Sequence, residues 1–551
     1  MNPSQFNGAL DGVTVQILRN RIACIMEEMA HHFFRSGYST IVRESRDFSC
    51  VIVDADGRLI SSPPMFYHAT AYQHLAQKIM ALYGRENLRD GDIFVTNHPY
   101  EGYTPHAPDM AIIAPIIVDG VLAGFSSAIA HKADMGGMVP GSSWGQAQEM
   151  FQEGLLLPPM RSHINDAPLE DVERLIAANS RQPALVIGDM RSQTGAVRIG
   201  RERMKALVRE HGAATLCQAL DTMITAAGRE IGAALAKLPD GESEAESLLD
   251  NDGDTQLAPV RLHVRVAVRK GHVTFDFSSS DDQRRTPVNL RPPLVEAACF
   301  HALIAMLDPH LRYSDSARQF VTFVLREGSI VNARPPAPCS NYMKVCQRLI
   351  DIVIEALGPF CPQRAAAHSG GSGGSMVATW GEGPRKAHHN HHEIWGSAYG
   401  GHAQGDGTSG TTVHMGNIYI TAVEIVETEF PCRVTKFELI PDSGGRGKYR
   451  GGLSFRREYL ALQPGAVLYR GDKNRYPARG FAGGEDGRKS VFLLDPDTPQ
   501  EKILPANCRF EVTAGQRFRL EAPGGGGYGD PLERDPQRVL RDIEDGYVSG
   551  G

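Results

Sequence analysis

Two hydrophobic periods occupy separate stretches of this chain, and that separation restricts its fold more than any other feature. From Leu169 to Leu238 apolar residues recur at helical spacing, at Val172, Leu175 and Ile176, then Met204, Leu207 and Val208, then Leu216, Leu220, Met223 and Ile224. An earlier amphipathic helix is predicted over Val13 to Phe33, where Ile17, Leu18, Ile22, Ile25, Met26, Met29 and Phe33 share one stripe. Strand patterns surround the long helical stretch. Asp47 to Ser62 reads as a hairpin turning at Asp-Ala-Asp-Gly. Ile93 to Thr96, Met110 to Val118 and Val121 to Ile129 read as strands, the last two joined by Asp119-Gly120. The expected class is α+β, multidomain, with large mixed or antiparallel sheets and a helical segment in the first half.

Pro239-Asp240-Gly241 ends the helical stretch, and the acidic run Glu242 to Asp254 reads as a solvated connector. Strands follow at Val260 to Val268 and His272 to Phe277, then helices at Pro293 to Leu307 and Ser340 to Leu357. Beyond Pro362 the chain is rich in glycine and strand patterns. A chain of 551 residues exceeds the roughly 250–300 that one hydrophobic core supports. Three regions are therefore expected, over residues 1–240 (α+β), 241–362 (α+β) and 363–551 (Gly-rich and β-rich).

Charge and composition remove several function classes. A net charge of -7 offers no basic stripe for nucleic acid. The start Met-Asn-Pro-Ser-Gln-Phe lacks a secretion signal, and no window approaches the roughly 20 apolar residues that span a bilayer, so a cytoplasmic protein is expected. The nine cysteines are scattered without a Cys-x-x-Cys pair and read as reduced thiols.

The loop before Met110 carries His106 and Asp109, three residues apart and stiffened by Pro99, Pro105 and Pro108. One hairpin later, at the end of an apolar run, stands His131. Antiparallel strands return to their starting edge, so the two ends should be neighbours. Two imidazoles and a carboxylate leave positions open on a zinc, manganese or iron ion, as a catalytic site requires. By itself a His-x-x-Asp spacing also suits ordinary hydrogen-bonding loop residues. Asp134 reads either as a carboxylate orienting His131 or as a solvated loop acid.

With these residues in place the chain resembles the B-type subunit of the hydantoinase, 5-oxoprolinase and acetone carboxylase family. Glu-Ser-Arg-Asp-Phe-Ser at Glu44 to Ser49 carries the likeness, as do the stretch from Asn97 to Asp109, Ala-His-x-x-Asp-x-Gly-Gly at Ala130 to Gly137, and Gln152 to Pro159. Later residues add to it, at Gly405-Asp406-Gly407, His414-Met415-x-Asn417, Asp442 to Gly452 and Pro523 to Pro531. The resemblance implies a divalent metal held in the 1–240 region by His106, Asp109 and His131, with Asp47 as fourth ligand. Glu44 or Asp134 is assigned as an orienting or proton-transferring carboxylate. It also implies an obligatory A-type partner that binds ATP, hence a hetero-oligomer; this chain has no Walker-type loop of its own.

The activity so implied is ATP-dependent hydrolysis of a cyclic amide, a hydantoin or a lactam. A ketone carboxylase of the acetone or acetophenone type is the alternative, and a non-catalytic scaffold subunit is a third. The family pattern Asn-Asp-Pro-Tyr is here Asn97-His98-Pro99-Tyr100, which puts His98 behind the presumed ligands or at the substrate pocket. The run His388-His389-Asn390-His391-His392-Glu393 suits a second metal site or a mobile polar loop, and the loop is expected. Ser369 to Ser375, Asp442 to Gly452 and Pro523 to Gly529 are expected to be tight turns rather than phosphate cradles. Gly405-Asp406-Gly407 is the glycine motif singled out as a place to meet a substrate carboxylate.

Overall fold

A computed structural model describes residues 10–250, 259–381 and 390–549. Helix α1 (Gly12–Ser36) begins at Asp11, whose carboxylate caps the backbone N–H of Val13 and Thr14. Strand β1 (Phe48–Asp54) is followed by helix α2 (Ala69–Tyr83) and strands β2 (Ile93–Thr96), β3 (Asp109–Val118), β4 (Val121–His131) and β5 (Met160–Ile164). The long helices α3 (Pro183–His211) and α4 (Ala213–Leu235) come next. Strands β6 (Gly241–Leu249), β7 (Val260–Arg269) and β8 (His272–Asp276), then helices α5 (Pro292–Leu307) and α6 (Tyr342–Leu357), complete the middle. The last part includes β9 (Gly374–Trp380), β10 (Asn390–Trp395), β11 (Gly465–Arg470) and β12 (Asn507–Val512).

The first sheet is antiparallel in the order β1-β4-β3-β2-β5, closed by the short strand Ala167–Pro168. Its inner strands are buried on both faces, which is why β3 reads as a continuous apolar run rather than an alternation. Met110, Ile112, Ala114 and Ile116 pack toward α1, α3 and α4. Ala111 and Ile113, pointing the other way, join a core with α2, α5, α6 and the β6–β8 strands. A third core fills the space between the sheet β10-β9-β11-β12 and a five-stranded sheet made by Cys432–Leu439, Phe455–Ala461, Arg517–Glu521, Val491–Leu494 and Lys502–Leu504. The expected α+β class with several antiparallel sheets holds.

Three local expectations differ. The acidic run after Pro239 is strand β6, not a solvated connector, with residues 251–254 lying outside the described residues. Glu242, Glu244 and Glu246 point to solvent, where Glu246 pairs with Arg261 and Glu242 with Arg265 and Arg269, while Ala245 and Leu249 are buried. Alternation is the strand signal there, and the density of charge masked it. Helix α2 lies between Ser62 and Ile93, where the sequence pattern predicts no named element. The return arm of the first hairpin is one bridge, Val53 to Leu59, because β1 pairs along its whole length with β4 instead.

None of the nine cysteines is in a disulfide. Among the described residues no helix is long and apolar enough to cross a membrane.

Candidate metal centre

The site is a product of register. Asp109 opens β3 directly opposite His131, the last residue of β4. Phe48 opens β1 opposite Ala130, so Asp47 stands beside the same edge and its carbonyl accepts the N–H of His131 at 3.1 Å. Three neighbouring strand ends thus deliver three side chains. His106 arrives from the turn before β3, closed by the Asp109 N–H donating to the His106 carbonyl at 3.1 Å. Asn97 staples that loop in place. Its amide donates to the carbonyls of Ala107 at 2.7 Å and Leu155 at 2.8 Å, and its oxygen accepts from Leu157.

The ligating atoms of His106, Asp109 and His131 lie within 4.8 Å of one another, and all three residues are buried. His106 Nε2 is 3.4 Å from Asp109 Oδ1, His131 Nδ1 is 3.4 Å from the same oxygen, and the two ring nitrogens are 3.1 Å apart. Asp47 Oδ2 is 3.9 Å from His131 Nδ1. At its other nitrogen, His106 Nδ1 meets the Ser340 carbonyl at 3.2 Å. A carbonyl can only accept, so Nδ1 carries a proton, and Nε2, on the side of Asp109 and His131, is the nitrogen that could bind a metal.

Burial alone would raise the Asp109 carboxyl, but the adjacent His106 and His131 hold it well below the usual carboxylate range. Asp47 behaves oppositely. Burial pushes it up to about 7 against the pull of His131, and the negative charge of Asp109 adds to the rise.

Two further histidines belong to the site, and spacing along the chain did not reveal them. His68 Nε2 lies 3.9 Å from Asp109 Oδ2, and its Nδ1 is 2.7 Å from Ser49 Oγ. His392, on β10, sets its ring 5.1 Å from that of His131, tilted by 35°. This corrects the mobile-loop reading: Asn390 to Trp395 is a fully buried strand, while His388 and His389 lie outside the described residues. His391 points away, with Nε2 2.6 Å from Glu393 Oε1 and its ring stacked on Phe430, so the run is no second metal site among the described residues. Ser369 to Ser375 brings Ser372 and Ser375 to the cavity wall, a signal the sequence offered only as a glycine-rich stretch.

Other candidates stand elsewhere. Asp134 is fully buried, and its carboxylate accepts from the N–H of Gly136, Gly141 and Arg181 and from the Arg181 guanidinium, so it organises the loop after β4. Glu44 ends the short helix Thr40–Arg43 half-buried, and neither acid lines the cavity beside the histidines. His98 Nδ1 accepts from Tyr100 and Glu101 and caps its own turn. Asp406 is engaged by Arg534 and Arg538 and by the Arg450 N–H, away from the centre. The glycine runs after Asp442 and Pro523 pack backbone to backbone. Tyr449 and Tyr528 exchange two hydrogen bonds of 2.9 Å, and a Cβ on Gly451 would meet the Gly525 carbonyl at 2.0 Å, which explains the glycines without a phosphate.

Asp47, His106 and His131 line a cavity of about 50 Å³ together with Tyr342, His392 and Arg470. A larger cavity of about 530 Å³, between α1 and Tyr419, contains none of the cluster residues. Near the small cavity, the Glu153 carboxylate accepts the N–H of Cys339 at 3.0 Å and of Ser340 at 2.7 Å, holding the segment that positions His106. Burial pushes Glu153 up to about 7, against the pull of those donors. A native value above the unfolded one, near 4.5, means that the stabilisation is complete below about pH 4.5 and is lost as pH rises through about 7. Glu153→Gln, which cannot ionise, is therefore expected to gain on wild type by on the order of 2–3 kcal/mol between pH 5 and pH 8 in denaturant titrations. A stability difference that does not change with pH would refute that assignment.

The hydantoinase B/oxoprolinase family matches residues 11–531. The B-type subunit of a putative D-/L-hydantoinase of Pseudomonas sp. (strain NS671) is 29% identical, over 98% of this chain and 93% of its own length. The crystal structure of the ATP-dependent caprolactamase from Pseudomonas jessenii matches with a TM-score of 0.90 at 23% identity, covering 98% of this chain and 95% of that one. A nucleotide-free acetone carboxylase structure matches with a TM-score of 0.87 at 17% identity, covering 98% and 78%. The two structural likenesses speak for the fold, and the match along nearly the whole sequence speaks for descent: this chain belongs to the hydantoinase B/oxoprolinase family.

Proposed function

We propose that this chain is the metal-binding, B-type component of an ATP-dependent cyclic amide hydrolase, acting on a hydantoin or lactam together with an A-type subunit that binds ATP. The observation that carries the reading is the buried convergence of His106, Asp109 and His131 on one strand edge. The residues present fit a metal. Asp109 Oδ2 and His392 Nε2 are buried without a hydrogen-bond partner, a state that costs about 1–3 kcal/mol per group unless something completes it. His106, Asp109 and His131 would hold the ion, with Asp47 as fourth ligand, and mixed imidazole and carboxylate ligation suits zinc, manganese or iron.

When bound, such an ion supplies Lewis acidity and brings the pKa of a water down toward about 7. The chain's own residues do the rest. Ser340 fixes the His106 tautomer, and Asn97 fixes the loop on which His106 and Asp109 sit. The buried sheet edge keeps bulk water from the ring of ligands. ATP dependence and the partner are supported by the words used of the relatives, one a subunit of a hydantoinase and the other an "ATP-dependent" caprolactamase.

The fold shared with acetone carboxylase favours one second reading, a ketone carboxylase built on the same ligands. The test is ATP consumption by the chain reconstituted with its A-type partner, offered hydantoins, lactams and ketones with and without bicarbonate. Turnover stimulated by cyclic amides without bicarbonate is the expected result. A requirement for both a ketone and bicarbonate would replace the hydrolase by the carboxylase.

A further inference from the structure

The wall facing the histidines is rich in hydrogen-bond donors that lack acceptors. Helix α6 begins at Tyr342 with Asn341 as its N-cap, and Asn341, Tyr342, Met343 and Lys344 all line the small cavity. Asn341 is only 6% exposed. The Arg470 guanidinium donates to its side-chain oxygen at 3.4 Å, which fixes the amide and leaves Nδ2 buried with no partner. Arg470 ends β11 opposite Ser375 of β9, and Ser375 faces Ile394 of β10, so this sheet turns Arg470, Ser375 and Ile394 to the cavity together with His392. Arg470 Nε is likewise buried without a partner.

No carboxylate forms an ion pair with Arg470 among the described residues. Glu153 is near enough to be felt electrostatically, but its oxygens are taken by the N–H groups of Cys339 and Ser340. A helix N-terminus also concentrates partial positive charge from its unsatisfied N–H groups. A guanidinium, an amide N–H and a helix start with no anionic acceptor among them are costly to bury unless a ligand supplies the negative oxygen.

We infer that Asn341, Arg470 and the N-terminus of α6 form an oxyanion-binding subsite across the cavity from the metal ligands, taking a carboxylate or phosphoryl oxygen of the bound substrate or product. The inference deepens the hydrolase reading and rests on it for the ligand's class. Opening a cyclic amide with water breaks the C–N bond, places the new oxygen on the carbonyl carbon and the proton on the departing nitrogen, and so creates a carboxylate from a neutral ring. A wall of donors then binds product or an acidic substituent better than the neutral amide. A cavity of about 50 Å³ admits such a group but not a whole ring, so the ring lies outside it.

The test is calorimetric titration of the purified full chain, stripped of metal by a chelator and without partner or ATP. The probes are inorganic phosphate, 5-oxoproline and 2-pyrrolidinone, the last being the same ring without its carboxylate. Binding of phosphate, of 5-oxoproline or of both, with 2-pyrrolidinone at least tenfold weaker, is expected. Asn341→Ala and Arg470→Met should each weaken the anion at least tenfold at unchanged melting temperature, with Arg470→Lys in between. Which anion responds distinguishes a phosphoryl group from a substrate carboxylate. Anion binding absent from wild type, or equal in the folded variants, overturns the subsite. Because no turnover is measured, failure of the hydrolase reading shows separately, in the ATP assay.

Discussion

His106→Ala is expected to leave a folded chain that neither retains the metal nor supports ATP-dependent turnover with its partner. The side chain supplies one of three clustered ligand groups, and its anchor to the Ser340 carbonyl is a single hydrogen bond worth about 1 kcal/mol to the fold. Lewis-acid stabilisation is worth several kcal/mol and each 1.4 kcal/mol is about tenfold in rate, so activity should fall by roughly three orders of magnitude. Metal analysis beside turnover checks this, with thermal unfolding as the control. A variant proved free of metal that still turns over at the wild-type rate would end the metal reading and favour a scaffold role.

The largest effect on stability is expected from Arg348→Ala, which leaves the metal ligands untouched. Arg348 is 1% exposed, in the interior of α6. Its Nε and one terminal nitrogen grip both oxygens of Asp472 at 2.8 and 3.1 Å, and the same terminal nitrogen donates to the Tyr476 carbonyl at 3.0 Å. These bonds tie the helix bearing Asn341 to the segment after β11. Removing one partner of such a pair strands the buried carboxylate and costs about 3–5 kcal/mol. Denaturant unfolding of Arg348→Ala beside wild type measures it; a loss below about 1 kcal/mol would show that water reaches Asp472.

Several features were readable before any coordinates. Helical spacing located α1, α3 and α4, because a stripe that must be buried repeats with the helix itself. His106, Asp109 and His131 were readable together for a related reason. One hairpin lies between them, and an antiparallel return allows only one edge on which its two ends can meet. Asp47 follows only from the resemblance; the register of β1 on β4 sets it beside the same edge, 3.9 Å from His131, outside the three-residue cluster. Glu44 and Asp134 lie close to the ligand motifs in sequence, and closeness along the chain does not determine which way a side chain turns. The Asp134 carboxylate is occupied by the backbone of its own loop and by Arg181.

The sequence by itself determined the class of fold, the strand edge that carries the candidate ligands and the family, since each is written in local period, hairpin return or ordered motifs. Tertiary structure alone decided what faces those ligands. His106 meets Ser340 across 234 residues of chain, and His392 and Arg470 arrive on a different sheet. No spacing encodes such contacts, because they depend on how separate buried faces dock. Docking is settled by the sum of many apolar contacts, while the few polar groups carried to the seam acquire their chemistry only there.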